Sequence, residues 1–402
     1  VRIAYITTAF PWRSETAVIK EVHELDRLGF DVAIISLKRV GYRGIFDPKA
    51  NRFRDRTWYP TALTPFLGAL HCLLWLVASP SFRGVLYATV RGSGRHLPKA
   101  LYILLLVPAI IRRLRFQEVC YVHANFASFQ CHAAWAVSRM SGIPFGFTVH
   151  AHDIFLHAFL IPVKARDARL VVSISKYNVN YMHENFGVPT GGIQVIHCGV
   201  DLREFMQDPL PEDGPPLILS VGRLDPMKGF DLLLEACARL AGTIPFRCCI
   251  VGKGGELEAL KEQAARLGLG RTLEFRTGVP HAELIDLYRR CRVYVQPCRR
   301  DAQGMQDGIP ATLMEAMAMA KPVISTRLSG IPELVTHDSE GLLVDPEDVA
   351  GLTAAMRLML QDGELAHRLG VSGREKIRRE FDVAANTAVL AEQMRRVIAA
   401  AR

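Results

Sequence analysis

The chain has 402 residues, half of them hydrophobic and 22% charged, an ordinary globular composition long enough for two domains. No stretch reaches the roughly 18 unbroken apolar residues of a membrane-spanning helix. Nine scattered cysteines with no C-x-x-C pair argue against a disulfide framework or a zinc site. The net charge of +9 is uneven: residues 39–115 carry 13 bases and only two acids, Asp47 and Asp55. Such a block is commonly a solvated face. Here the bases flank apolar runs, so an anionic surface is the competing reading.

Val1-Arg2 leads straight into a strand-like "IAYITTAF", so no export signal is expected and the setting read is reduced and cytoplasmic. In the first half, "RIAYI", "DVAIISL", "VCYVHA", "FGFTVH", "LVVSIS" and "IQVIH" read as buried parallel strands. A helical pattern over 15–29 ends at Gly29. "PFLGALHCLLWLVASP" and "LYILLLVPAII" are apolar runs too short to span a bilayer. "NRFRDR" precedes the first and "RRLRF" follows the second, with Arg83, Arg91, Arg95 and Lys99 between. Each run is either a core helix with solvated ends or a membrane-docking helix.

Residues 201–215, rich in proline and acids, read as a linker. A second series of strands follows: "PLILSVG", "FRCCIVG", "TLEFRTG", "RVYVQP", "KPVIST" and "GLLVDP". Helices fit at 228–240, 256–267, 281–290 and 310–320, and the tail from about 347 is mostly helical. Strands alternating with helices predict an α/β chain with two Rossmann-like, doubly wound domains. These are 1–200 and 216–380, facing across a cleft, with residues 381–402 as a C-terminal helix packing back on the first domain.

Three stretches of the second half carry chemistry. In "SVGRLDPMKGF" a strand ends at Gly222, Arg223 follows, and Lys228 precedes a helix. Two cations there suit a phosphate-bearing ligand; two surface cations in a loop are the equal alternative. "IVGKGGELEAL" has the strand–glycine–helix order of a dinucleotide site, but Gly252, Gly254 and Gly255 do not match G-x-G-x-x-G. A tight turn explains it better than a dehydrogenase. In "GMQDGIPATLMEAMAMAKPVIST", Gly304 and Gly308 allow close approach of backbone, Pro310 suits the first helical position, and the N–H groups that follow can bind an anion. Asp307 precedes that start. Glu315 sits in an otherwise apolar helix and needs partners, which ribose hydroxyls would supply; otherwise it faces solvent.

Taken together and in order, "GRLDPMKG", "VGKGGELEAL", "FRTGVPHAEL", "YVQP", "DGIPATLMEAMAMAKPVIST", "GIPELV" and "GLLVDP" resemble the retaining glycosyltransferases of family 4, which have the GT-B fold. The resemblance covers nearly the whole chain and is densest over 216–346. It implies that Arg223 and Lys228, after Gly222, hold the diphosphate of a nucleoside diphosphate sugar. Thr277, Gly278 and Val279 would contact the base, and Glu315 the ribose. Gly252, Gly308, Ile309, Pro310 and Leu313 complete the donor site. The acid eight positions before Glu315 contacts the transferred sugar in the family; here it is Asp307 instead of the usual Glu. "TTAFPWRSETAVIKEV" resembles the donor-facing loop and helix, with Ser14, Glu15 and Thr16 where other members carry a glycine pair. "FTVHAHDIF" places His150 near the transferred sugar, with weaker claims for His152 and Asp153. Without the resemblance a hydrogen-bonded histidine at a strand end is the plainer reading of His150; with it, the site is preferred.

No D-x-D triplet occurs. The resemblance implies transfer with retention, and without that triplet a metal-independent reaction is expected, with Arg223, Lys228 and the N–H groups after Asp307 stabilising the leaving diphosphate. No cofactor and no nucleic acid is expected. UDP is favoured over GDP, and the acceptor is expected to be a glycan or a lipid-linked hydroxyl in surface polysaccharide or glycoconjugate synthesis. The expected location is peripheral, on the inner face of the cytoplasmic membrane. A GT-B nucleotide-sugar epimerase and a non-catalytic nucleotide-sugar binder are the alternatives.

Overall fold

The computed structural model describes residues 1–11, 16–40, 48–212 and 214–401, without the side chains of Thr16 and Pro48. Contacts divide the chain into two units, Val1–Cys198 with Val383–Arg402, and Gly199–Asp382. The first holds β1 (Arg2–Ala9), β2 (Asp31–Lys38), β3 (Thr57–Trp58), β4 (Tyr121–Asn125), β5 (Phe145–Val149), β6 (Leu170–Ser173) and β7 (Ile193–Val195). Their order is β3-β2-β1-β4-β5-β6-β7. The second holds β8 (Leu217–Val221), β9 (Arg247–Val251), β10 (Leu273–Arg276), β11 (Val293–Val295), β12 (Val323–Thr326) and β13 (Gly341–Val344), ordered β10-β9-β8-β11-β12-β13.

The strand pairs in both sheets are parallel. A parallel sheet is covered by helices on both faces, so its strands are apolar at successive positions. β4, β5 and β8 are buried at every residue. Each sheet reverses its strand order once, between β1 and β4 and between β8 and β11. The carboxyl ends of parallel strands share an edge. At the reversal the connections leave toward opposite faces, which opens a crevice there.

The predicted strands of both halves are present, and the short edge strand β3 is additional. The helix expected over 15–29 runs Thr16–Arg27, and Gly29 after it has a φ of +87°. The helices expected at 256–267 and 281–290 are Leu257–Arg266 and His281–Arg290. The pattern at 228–240 resolves into a 3-10 turn, Pro226–Lys228, and a helix, Phe230–Leu240. The helix placed at 310–320 runs Ala311–Ala318, so Pro310 caps it instead of entering it.

Residues after 200 are held by ion pairs and backbone bonds inside the second unit. Asp208 lies 3.0 Å from Arg374 and Glu212 lies 2.5 Å from Arg292. Leu210 N–H donates to the Arg289 carbonyl at 2.8 Å. The last helix, Val383–Ala400, packs Leu390, Ala391 and Met394 into the same core as Val18, Val22 and Leu25 of the helix Thr16–Arg27.

The two apolar runs have different fates. The second lies in the helix Leu97–Phe116, which buries Ile103, Leu106, Val107, Ile110 and Leu114 in the first unit's core. The first forms the helix Thr64–Ala78, of which only Thr64 and Gly68 are buried. No single helix among the described residues is long and apolar enough to cross a membrane.

Candidate functional site

The second sheet's reversal brings together Gly222, Arg223, Lys228 and Asp307 among the residues picked from the sequence. β8 ends at Val221, and the chain passes Gly222 and Arg223 into the turn Pro226–Lys228. Gly229 has a φ of +68°, and a Cβ there would overlap the Pro297 carbonyl after β11. Glycine lets the two strand-end loops close on each other. Lys228 Nζ then lies 2.7 Å from Asp307 Oδ2, with both side chains largely buried. Cys298 donates its thiol to the same oxygen at 3.3 Å.

Burial opposes the charge on Lys228, but the Asp307 carboxylate outweighs it and raises the pKa above the ordinary lysine value. The ammonium is therefore charged at any working pH. Burial first, then Asp307, pushes the Cys298 thiol well up, so it remains a donor. Arg223 is more exposed and pairs with Asp225, while its charge is still felt at Lys228.

Behind this pair lies a residue that sequence reasoning missed. Gln296 follows β11 and is fully buried. Its Oε1 accepts from the Tyr294 hydroxyl at 3.1 Å and the Thr312 hydroxyl at 2.8 Å. Its Nε2 is buried without a partner among the described residues, and a Cβ on Gly222 would stand 3.5 Å from it. The signal available was a lone amide ending the apolar run "VYVQP".

The loop after Cys298 is braced by Asp301, whose Oδ1 accepts from the N–H groups of Gln303 and Met305 at 2.9 and 2.8 Å. Gly304 has a φ of +83° there. The loop delivers Gly308, Ile309 and Pro310 to the start of the helix Ala311–Ala318. Leu313 and Met314 N–H groups bond the Pro310 carbonyl, so those of Ala311 and Thr312 precede the helical ladder. Leu313 is covered by protein. Glu315 is half-buried and accepts from the Tyr288 hydroxyl at 3.0 Å. Burial, then Glu315, raises that buried phenol's pKa.

Gly252 and Gly254 have a packing explanation. A Cβ on either would overlap the backbone of Gly222 or Leu224, so they let the β9 turn lie against the loop after β8. Thr277, Gly278 and Val279 follow β10, with Gly278 at a φ of +68° beside Lys253. Among the described residues no group of His, Cys, Asp or Glu is placed to hold a metal ion.

The first sheet's reversal carries a different cluster. His150 follows β5 and caps the short helix Ala151–Phe155. Its Nε2 lies 2.8 Å from Asn125 Oδ1 at the end of β4. Asn125 Nδ2 donates to Glu21 Oε1 at 3.0 Å, and the Tyr5 hydroxyl donates to the same oxygen at 2.9 Å. With Asn125 oriented this way, its Oδ1 accepts, so His150 Nε2 carries the proton. Desolvation pushes Glu21 up to about 7 against these hydrogen bonds, and lowers His150 to about 4.

Asp153 fixes the backbone beneath. Its Oδ2 accepts from His150 N–H at 3.0 Å and Ala127 N–H at 2.7 Å. Buried Lys164 donates to the Ala127 carbonyl at 2.6 Å. Phe126 has a φ of +90°, a strained conformation for a bulky residue, and stacks on His150 with centroids 4.3 Å apart. Sequence reasoning singled out His150 and passed over its partners Glu21 and Asn125. Glu21 was detectable, because Val18, Glu21, Val22 and Leu25 share one helix face. Ser14, Glu15 and the side chain of Thr16 lie outside the described residues.

Two family models match this chain: "Glycosyltransferase Family 4" over residues 14–204 and "Glycosyl transferases group 1" over 201–376. A GDP-mannose-dependent alpha-(1-6)-phosphatidylinositol monomannoside mannosyltransferase of Mycolicibacterium smegmatis is 32% identical over 52% of this chain and 57% of its own. The chain thus spans little more than half the length of that relative. An amylovoran biosynthesis glycosyltransferase of Erwinia amylovora is 29% identical over 95% of this chain and 96% of its own. A glycosyltransferase structure from Rickettsia africae superposes with a TM-score of 0.73 over 99% of this chain and 98% of that one, at 16% identity.

Proposed function

Because the chain belongs to glycosyltransferase family 4 and has the GT-B fold, we propose that it transfers a sugar from a nucleoside diphosphate sugar to a glycan or lipid-linked hydroxyl, with retention and without a metal ion. The observation that carries this reading is the Lys228–Asp307 pair at the second sheet's reversal, beside Arg223 and the start of the helix Ala311–Ala318. A leaving diphosphate gains negative charge in the transition state. Cations and N–H groups already in place stabilise that charge without reorganisation. Lys228, freed from Asp307 or shared with it, contacts the diphosphate with Arg223. Glu315 takes the ribose hydroxyls, Asp307 and His150 the transferred sugar, and Thr277–Val279 the base. No carboxylate is an evident nucleophile, so the acceptor attacks from the face that the diphosphate leaves.

The process is surface polysaccharide or glycoconjugate synthesis, with the protein peripheral on the inner face of the cytoplasmic membrane. UDP is the favoured nucleotide, and the mannosyltransferase relative keeps GDP in contention. A thermal-shift screen across UDP-, GDP- and ADP-sugars tests the donor. A ligand at about 100 times its dissociation constant adds roughly 2.7 kcal/mol. No shift with any sugar nucleotide would overturn the reading. Consumption of donor without an acceptor, giving a free epimer, would make the protein an epimerase instead. Binding without turnover on any acceptor would make it a binder.

A further inference from the structure

The helix Thr64–Ala78 inverts the usual order of a surface helix. Its protein-facing side is small: Gly68 lies so close to the helix Leu97–Phe116 that a Cβ would overlap the Leu105 carbonyl, and Cys72 Sγ reaches the Leu104 carbonyl at 3.6 Å. Its outward side is Phe66, Leu67, Leu70, Leu73, Leu74 and Val77, spaced at i, i+3, i+4 and i+7, with Phe66 74% and Val77 83% exposed. No charged residue occurs anywhere in this helix. A water-facing helix has polar residues on that side. A contiguous apolar face of this kind marks a surface that something covers.

The charges around the face identify what covers it. At the C-terminal end, Arg83 caps the helix by donating to the carbonyls of Leu76 and Val77 at 3.3 and 2.8 Å. Beside the N-terminal half is a cavity of about 540 Å³, with Leu67, His71, Arg112, Arg113 and exposed Phe116 among its lining. No acid lines it. Arg113 Nε is buried there with no hydrogen-bond partner among the described residues. An isologous dimer through this face would set arginine against arginine. A phospholipid bilayer supplies what both parts lack, acyl chains for the leucines and phosphates for the arginines.

We propose that the helix Thr64–Ala78 lies in the surface of an anionic bilayer, its leucine face among the acyl chains and Arg112 and Arg113 on lipid phosphates. Fifteen residues reach about 22 Å, short of the roughly 30 Å hydrocarbon core, so the helix lies along the membrane instead of across it. The next helix, Pro80–Gly92, leaves at 110° and does not extend it. This deepens the peripheral-membrane part of the proposed function, and its test needs neither donor nor acceptor.

The test is flotation of the whole chain with phosphatidylcholine vesicles, and with vesicles in which roughly one lipid in three is phosphatidylglycerol. Wild type is expected to float with the anionic vesicles and to lose binding as salt rises. Leu70→Gln/Leu73→Gln changes only exposed side chains, so unfolding temperature should hold while partitioning falls at least tenfold. Arg112→Gln/Arg113→Gln should weaken anionic binding by about fivefold per base and flatten the salt dependence. Wild-type flotation by the leucine variant, or no flotation of wild type with either vesicle, overturns the proposal. A wild-type dimer that the leucine variant dissociates, without vesicle binding, assigns the face to self-association and also overturns it.

Discussion

At the reversal of the second sheet the polar groups are charged and paired; at that of the first they are neutral and chained. Lys228 and Asp307 hold opposite charges 2.7 Å apart, with Arg223 near. Tyr5, Glu21, Asn125 and His150 form a hydrogen-bonded series in which desolvation favours the uncharged acid and the uncharged imidazole. The same topology therefore carries two polar clusters of opposite electrostatic character. A cationic crevice suits a diphosphate, whose charge repays desolvation of the lysine. A neutral, preoriented series suits hydroxyl groups, which need donors and acceptors but no counter-charge.

The sharpest way to break this contrast is to remove the cations. Lys228→Ala should cut kcat/KM by about a hundredfold or more, and Arg223→Ala by about tenfold, since a charged hydrogen bond contributes about 1.5–3 kcal/mol. Arg223→Ala should leave the unfolding temperature unchanged, because its side chain is mostly exposed. Wild-type rates in both variants would end the diphosphate assignment.

The acids of the second site separate binding from transfer. Asp307→Ala removes the partner that Lys228 now holds, so nucleotide affinity should be maintained or rise while transfer slows by about tenfold or more. Glu315→Gln should do the reverse, weakening nucleotide binding by about tenfold in a calorimetric titration. Equal nucleotide affinity in Glu315→Gln and wild type would remove the ribose role.

The smallest expected effect sharpens the neutral site. Glu21 titrates near 7 in the folded chain against an ordinary 4.5, so its protonated form is favoured by folding. Its contribution to stability is complete below about pH 4.5 and is lost as the pH rises through about 7. His150, lowered from 6.5 to about 4, acts oppositely, losing its contribution as the pH falls through that window. Glu21→Gln keeps a neutral side chain at every pH. Its stability relative to wild type should improve by on the order of 2 kcal/mol between pH 4.5 and 7.5 in denaturant titrations. A difference independent of pH would show that Glu21 is ionised in the fold.

The sequence by itself determined the architecture. Apolar runs at parallel-strand length, separated by helical periods, specify two doubly wound sheets because backbone hydrogen bonding and burial leave few other arrangements. It also singled out Lys228 and Asp307, which sit next to glycine turns and a helix start whose chemistry is local. Tertiary structure decided who meets whom. That Lys228 pairs with Asp307, 79 positions away, depends on the approach of Gly229 to Pro297. That Glu21 reaches Asn125 depends on a helix docking across β1 and β4. Composition could not separate the two apolar runs either. The helix with Gly68 and Cys72 turned inward leaves its leucines outside, while Leu97–Phe116 buries its own. Which face of a helix is covered is set by its neighbours, and those are distant in sequence.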